Sequence, residues 1–307
     1  MNAFRPLSSF RNSSPFVWLG GKSRLAKTII SLFPPHLAYV EPFGGAANVL
    51  LSKIRSNIEV YNDFSGLLVN FFRVLQDTNH RSALMDRLEW TPHARAEYAR
   101  AVTLLDNPDP VIRAWAFFTA QCQGISGAGS LGKRSANNWG YSRTNNQAGA
   151  FRVHVDKLPA IAHRLRDVTI EHGDGVSVIR RWDAPETLFY IDPPYADAAR
   201  TNKAGRSAYH VEIDDGGQRD LVDALLSIQG MAVLSGYRTP LYEPLESAGW
   251  ERREFEVDLS AAARVRSFNS MDTKGKARRK RTECLWLSPG VVEAECRKVR
   301  QCGLFSV

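Results

Sequence analysis

Short apolar runs alternate with longer stretches of helical periodicity along this chain. Seven runs read as strands: 38–41, 58–61, 168–171, 188–191, 231–235, 254–257 and 283–287. Between them lie helical patterns. One carries Leu25, Ile29, Ile30 and Leu32 and is stopped by Pro34-Pro35. Another covers 65–75, with Leu67, Leu68, Phe71, Phe72 and Leu75 apolar. Helical patterning continues through roughly 81–107. Asp109-Pro110 then supplies an N-cap and a first-turn proline for a helix through Ala120, in which Trp115 and Phe118 read as core. A short helix is expected near 157–166. Another follows Asp214-Asp215, with Leu221, Val222, Leu225 and Leu226 on one face. Strands alternating with helices predict an α/β fold with a mostly parallel sheet. The last two strands are expected to pair as a hairpin.

Residues 123–151 break the pattern. They hold Asn137, Asn138, Asn145, Asn146, Lys133, Arg134 and Arg143 around Trp139-Gly140-Tyr141. A long polar loop or hairpin is expected here. Asn pairs with adenine edges, and Arg with guanine or phosphate, so Lys133, Arg134, Asn138, Trp139, Tyr141 and Arg143 are candidate DNA contacts.

Charge strengthens that expectation. Among 307 residues, 40 Lys and Arg outnumber 32 Asp and Glu, a net charge of +8. The excess sits mainly between Arg264 and Arg281, where Lys274, Lys276, Arg278, Arg279 and Lys280 are further candidate phosphate contacts opposed only by Asp272. Four dispersed cysteines suit free thiols in a reducing compartment, and the histidines show no metal spacing. No apolar stretch of spanning length exists, and Met1–Ser14 lacks an apolar signal core, so a cytoplasmic protein is expected.

Chemistry concentrates where strands end. The run 188–191 leads into Asp192-Pro193-Pro194-Tyr195. Two prolines cannot continue a sheet ladder and stiffen the chain where it leaves the sheet. In open α/β sheets ligands bind at that edge. The tetrapeptide resembles the catalytic motif of amino-group methyltransferases that use S-adenosylmethionine (AdoMet). An exocyclic amino nitrogen is a poor nucleophile because its lone pair is delocalised into the ring. Asp192 and the Pro193 carbonyl could accept its hydrogens and free the lone pair, while Tyr195 stacks on the base. The strand 38–41 ends in Glu41-Pro42-Phe43-Gly44-Gly45-Ala46-Ala47, a tight small-residue turn at the start of a helix. The second strand ends in Asn62-Asp63, suited to a ribose diol or to capping the next helix, a role Ser65 could fill equally. The third ends in Gly173-Asp174, where turn chemistry is the alternative role.

Taken in order, these motifs resemble the Dam-type (D12 class, alpha group) N6-adenine DNA methyltransferases. The likeness runs from Pro15 to Leu287 and includes Trp18-Leu19-Gly20-Gly21-Lys22 and the closing Arg281-Thr282-Glu283-Cys284-Leu285-Trp286. It implies a Rossmann-like AdoMet-dependent methyltransferase sheet of about seven strands, the last antiparallel. It also implies a mostly helical inserted DNA-recognition domain at 76–155, with 1–75 and 156–307 forming the catalytic core. By the same resemblance, Trp18, Gly20, Gly21 and Lys22 line the methionine end of AdoMet. Glu41, Phe43, Gly44 and Gly45 form the main cofactor loop. Asp63 holds the ribose, Asp174 the cofactor adenine, and Asp192, Pro193, Pro194 and Tyr195 the target adenine. Ala47 stands where many members have a second glycine. The implied partner is double-stranded DNA, with no membrane and no metal, and a monomer is the expectation. An RNA adenine methyltransferase, a DNA-binding protein with a decayed site and a cytosine-N4 enzyme are the alternatives. The insert and the motif order favour DNA, and Asp192 favours adenine.

Overall fold

The seven strands assemble into one sheet. The structure, a computed structural model, describes residues 6–7, 13–18, 20–125, 136–194, 215–258 and 280–303. The strands are β1 (Ala38–Glu41), β2 (Ile58–Asp63), β3 (Thr169–His172), β4 (Thr187–Ile191), β5 (Met231–Gly236), β6 (Glu251–Asp258) and β7 (Lys280–Leu287). Their spatial order is β3-β2-β1-β4-β5-β7-β6. β1 through β5 are mutually parallel, with Val40 opposite both Val60 and Phe189. β7 is antiparallel to β5 on one side and to β6 on the other. The expected hairpin forms and is longer than its apolar run, pairing Glu251 with Leu287 through to Asp258 with Lys280.

Strand alternation divides the core into two layers, because successive side chains point to opposite faces. Tyr39, Tyr61, Leu188, Tyr190, Val233 and Leu285 enter one hydrophobic cluster. Val40, Val60, Phe189, Ile191, Ala232, Leu234 and Trp286 enter the other. Helices cover both faces, as a parallel sheet requires. The first layer takes residues from α1 (Ala26–Ser31), α2 (Asn48–Ser52), α3 (Gly66–Gln76), α4 (Thr78–Glu89), α5 (Arg95–Thr103), α6 (Pro110–Gln123) and α7 (Gln147–Leu165). The second takes residues from α8 (Gly175–Trp182), α9 (Asp215–Ser227) and α10 (Glu243–Ser247). A closing helix, α11 (Pro289–Gly303), places Val291 in the first layer.

Trp115 and Phe118 are buried in α6, as expected, and the Trp115 indole donates to Thr91 Oγ1 at 2.8 Å. Asp109 caps α6, accepting from the amides of Val111 and Ile112. Two expectations need correction. The helix near 157–166 starts ten residues earlier, at Gln147, where the Asn146 side chain accepts the Gly149 amide. Phe151, Val155, Leu158, Ile161, Ala162 and Leu165 bury its stripe, and the Gln and Gly residues of its first turn hide it in the sequence. In α9 Leu221, Val222 and Leu225 are buried, but Leu226 is 43% exposed. A helical step of about 100° carries it off the stripe.

Candidate active site

The strand order reverses between β1 and β4. β2 and β3 lie on one side, β5 onward on the other, and a ligand crevice opens at the carboxyl ends of such a pair. β1 delivers the glycine turn to that point and β4 delivers Asp192.

The glycine turn is built by its neighbours. A Cβ on Gly44 would lie 2.2 Å from the Tyr61 ring, and the Tyr61 hydroxyl donates to the Gly45 carbonyl at 2.8 Å. Gly45 has φ +50°, and a Cβ there would lie 2.9 Å from the Trp18 indole nitrogen. Phe43 presses on Gly175 at the start of α8, where a Cβ would lie 2.4 Å from its ring. Ala47 also adopts a left-handed conformation, φ +54°, which costs an alanine about 1–2 kcal/mol. It is fully buried within the first core layer, so its methyl packs inward instead of narrowing the turn's outer face.

Glu41 is buried beneath the turn. Its Oε1 accepts from the Tyr39 hydroxyl and the Leu50 amide, each at 2.7 Å. Burial raises its pKa from 4.5 to about 7, against the opposing pull of those two donors. A carboxyl more basic when folded stabilises the fold fully below its unfolded pKa, and that contribution is lost as pH rises through about 7. Glu41→Gln is therefore expected to match the wild type near pH 4.5 and to exceed it above pH 7 by up to about 3 kcal/mol. Thermal unfolding at the two pH values checks this; equal stabilities at both would refute it.

Asp63 is tied into the same turn. Its Oδ2 accepts the Gly45 amide at 2.9 Å and its Oδ1 the Ser65 amide at 2.8 Å. Burial raises its pKa despite those amides. Ser65, the N-cap residue of α3, makes no side-chain capping bond. Asn62 bridges to the third strand tip, donating to Pro42 O at 2.8 Å and Gly173 O at 3.0 Å. Asp174 caps α8 through Oδ2, accepting from the Ser177 amide and hydroxyl. The third tip thus places an exposed carboxylate, engaged as a helix cap, beside the first two.

Across the switch point, Lys22 reaches Asp192. The Gly21 amide donates to Trp18 O, and Gly20 adopts φ +77°. Lys22 follows, only 7% exposed, and its Nζ lies 2.8 Å from Asp192 Oδ1, 3.2 Å from Gly20 O and 3.8 Å from Glu283 Oε2. Burial works against this ammonium, but Asp192, Tyr190 and Glu283 outweigh it and hold its pKa above the ordinary lysine value. Glu283 also accepts from the Tyr237 hydroxyl at 3.0 Å. Beyond Asp192, the Pro194 carbonyl is held by the Gln218 amide at 2.8 Å, and the Tyr242 hydroxyl faces Gln218 Oε1 at 3.3 Å. Pro193 is buried and Pro194 half-buried. Tyr195 lies outside the described residues.

The segment before Trp18 is fastened by the helices that follow β2. Gln121 of α6 donates to Val17 O at 2.8 Å. Lys157 of α7 donates to Ser14 O at 3.1 Å, and His154 Nδ1 lies 2.8 Å from Pro15 O. Burial, aided by Lys157, lowers the His154 pKa to about 4. Phe16 joins Phe71, Phe117 and Phe118 in an aromatic cluster.

The candidate DNA contacts divide. Trp139 bridges to Gly124 and closes the base of the loop between α6 and α7. Its ring stacks with Tyr141, centroids 6.0 Å apart, and the Arg95 guanidinium lies over it at 4.9 Å. Tyr141 is 67% exposed, Arg143 is exposed and Asn138 half-buried. Lys280 opens β7. Lys133, Arg134, Lys274, Lys276, Arg278 and Arg279 lie outside the described residues.

A parallel sheet with this strand order, one antiparallel strand and a glycine turn facing an Asp-Pro-Pro corner across the switch point defines a Rossmann-like methyltransferase. The chain belongs to the D12 class of N6 adenine-specific DNA methyltransferases, whose family model matches residues 18–237. No curated protein matches it significantly. Among solved structures it is similar to the rRNA methyltransferase AviRa from Streptomyces viridochromogenes, at 11% identity over 88% of this chain and 86% of that one, with a TM-score of 0.35. A likeness so distant bears on no substrate. Membership of the family makes the reaction methyl transfer to adenine, and such enzymes use AdoMet as a class.

Proposed function

We propose that the chain methylates N6 of an adenine turned out of a specific double-stranded DNA sequence. The observation that carries the reading is Asp192 standing across the β1/β4 switch point from the glycine turn, ion-paired to the buried Lys22. The residues present fit AdoMet. Bare α-carbons at Gly44 and Gly45 keep the turn thin beside Trp18, and carboxylates stand at the tips of β2 and β3. Trp18, Gly20 and Gly21 would line its methionine end, Gly44 and Gly45 its centre, Asp63 the ribose and Asp174 the adenine. Bound AdoMet would supply a methyl group on a cationic sulfur, an electrophile needing no metal.

The chain's own task is to make the amino nitrogen a nucleophile. Asp192 and the Pro193 carbonyl accept its two hydrogens and favour tetrahedral geometry at N6. Asp192 also opposes the positive charge that develops there, in a site shaped beforehand. Proximity supplies much of the remainder, with no covalent enzyme intermediate. Turning the base out costs a few kcal/mol. Tyr195 would stack on it, and cations near Trp139 and in the 264–281 stretch would hold the phosphates.

Transfer of labelled methyl from AdoMet to unmethylated plasmid, with total RNA in parallel, tests the reading. N6-methyladenine in DNA alone is expected, and label in RNA alone would overturn it. DNA binding should weaken steeply with salt, with a log–log slope of about −0.9 per phosphate neutralised. Affinity that holds constant from low to moderate salt would remove the proposed phosphate contacts.

A further inference from the structure

We propose that Glu283 is a positioning residue for the methyl transfer: it competes with Asp192 for the Lys22 ammonium and so returns negative charge to the acceptor carboxylate. The inference rests on the reading of Asp192 given above. Lys22, nearly buried, lies 2.8 Å from Asp192 and 3.8 Å from Glu283. The Glu283 side chain is itself 12% exposed, and Tyr237 holds its Oε1, leaving Oε2 turned to the lysine. β7, which carries Glu283, is locked into the sheet next to β5, where Cys284 pairs with Gly236. The backbone of Glu283 is therefore held beside the cluster.

The charge count gives it a purpose. A carboxylate paired one-to-one with a lysine is electrically neutral and stabilises a cation poorly. Two carboxylates around one lysine carry one net negative charge, which opposes the positive charge appearing on the amino nitrogen. One hydrogen of N6 also needs a carboxylate oxygen of Asp192, and Lys22 occupies Oδ1. Glu283 gives the ammonium a second partner only 3.8 Å away, so Asp192 can be released to the base without stranding a buried cation. In the step itself the N6 lone pair forms the new N–C bond, the methyl–sulfur bond breaks with its electron pair left on sulfur, and N6 sheds one proton to water or Asp192.

Glu283→Gln preserves shape and removes the charge. Among the described residues, Lys22 and Tyr242 face Asp192, while Glu283 and Tyr190 act on Lys22. Single-turnover methylation of plasmid DNA should fall about 10- to 100-fold at saturating AdoMet and DNA. The AdoMet dissociation constant, measured by calorimetry, should stay within about threefold. An unchanged rate would overturn the inference. So would a loss of rate matched by a loss of AdoMet affinity, since that is how a merely structural residue behaves. Should the variant melt, Tyr237→Phe keeps both charges but frees Glu283 and should lower the rate about threefold in the same pattern; a wild-type rate there would equally overturn it. Wild-type enzyme without any adenine methylation would instead sink the underlying reading. Active wild type, inactive Asp192→Ala and unaffected Glu283→Gln would sink this inference alone.

Discussion

Asp192→Ala is expected to abolish methyl transfer, by about 10³-fold or more, while AdoMet still binds within a few-fold of wild type. The glycine turn, Asp63 and Asp174 hold together without Asp192. Their bonds run to Tyr61, Ser65, Asn62 and Ser177. Stability should suffer too. The variant leaves the Lys22 ammonium, already short of water, facing Glu283 at the longer distance of 3.8 Å. Breaking a buried pair by deleting one partner costs about 3–5 kcal/mol in the extreme, and the second carboxylate should limit the loss to about 2 kcal/mol. Asp192→Asn retains shape and one acceptor oxygen, so its rate should lie above that of Asp192→Ala and its melting temperature closer to wild type. A rate near wild type in either variant would mean that another group accepts the amino hydrogens.

Gly44→Ala should produce the second large effect, through a different quantity. Its Cβ would sit 2.2 Å and 2.4 Å from two atoms of the Tyr61 ring. Tyr61 cannot yield cheaply. It is fully buried on β2, packs edge-on against Phe72 at 4.9 Å and anchors Gly45 through its hydroxyl. Overpacking of that kind costs about 1–3 kcal/mol or more. The turn is the part free to move, so AdoMet affinity should drop at least about 100-fold, with a smaller fall in melting temperature. Calorimetry and thermal unfolding separate the two. Unaltered AdoMet affinity would mean that the turn does not line the cofactor site.

Much of this was legible because strands ending in Gly, Asp and Pro announce both a sheet and its functional edge. The runs ending at Glu41, Asp63 and Ile191 lie side by side in the sheet, as alternation of strand and helix required. Other parts had no local signal. Lys22 and Asp192 are 170 residues apart, and only the order of strands brings them together. A glycine-glycine-lysine therefore read as cofactor wall, not as counter-ion to the acceptor carboxylate. Glu283 read simply as the start of an apolar run. Gln218 did leave a trace. It stands three, four and seven residues before Leu221, Val222 and Leu225, a polar side chain on an apolar stripe, and it proves fully buried against Pro194. The start of α7 escaped because its first turn is made of residues that also build loops.

The position of β7 has a consequence for synthesis. It comes last in sequence among the described strands, yet it lies inside the sheet between β5 and β6. A nascent chain ending before residue 280 would leave both of those strands with an open edge, the kind of surface on which chains stick to one another. Glu283 would not yet stand beside Lys22. Completion of the sheet and of the Lys22–Asp192–Glu283 charge cluster thus coincide.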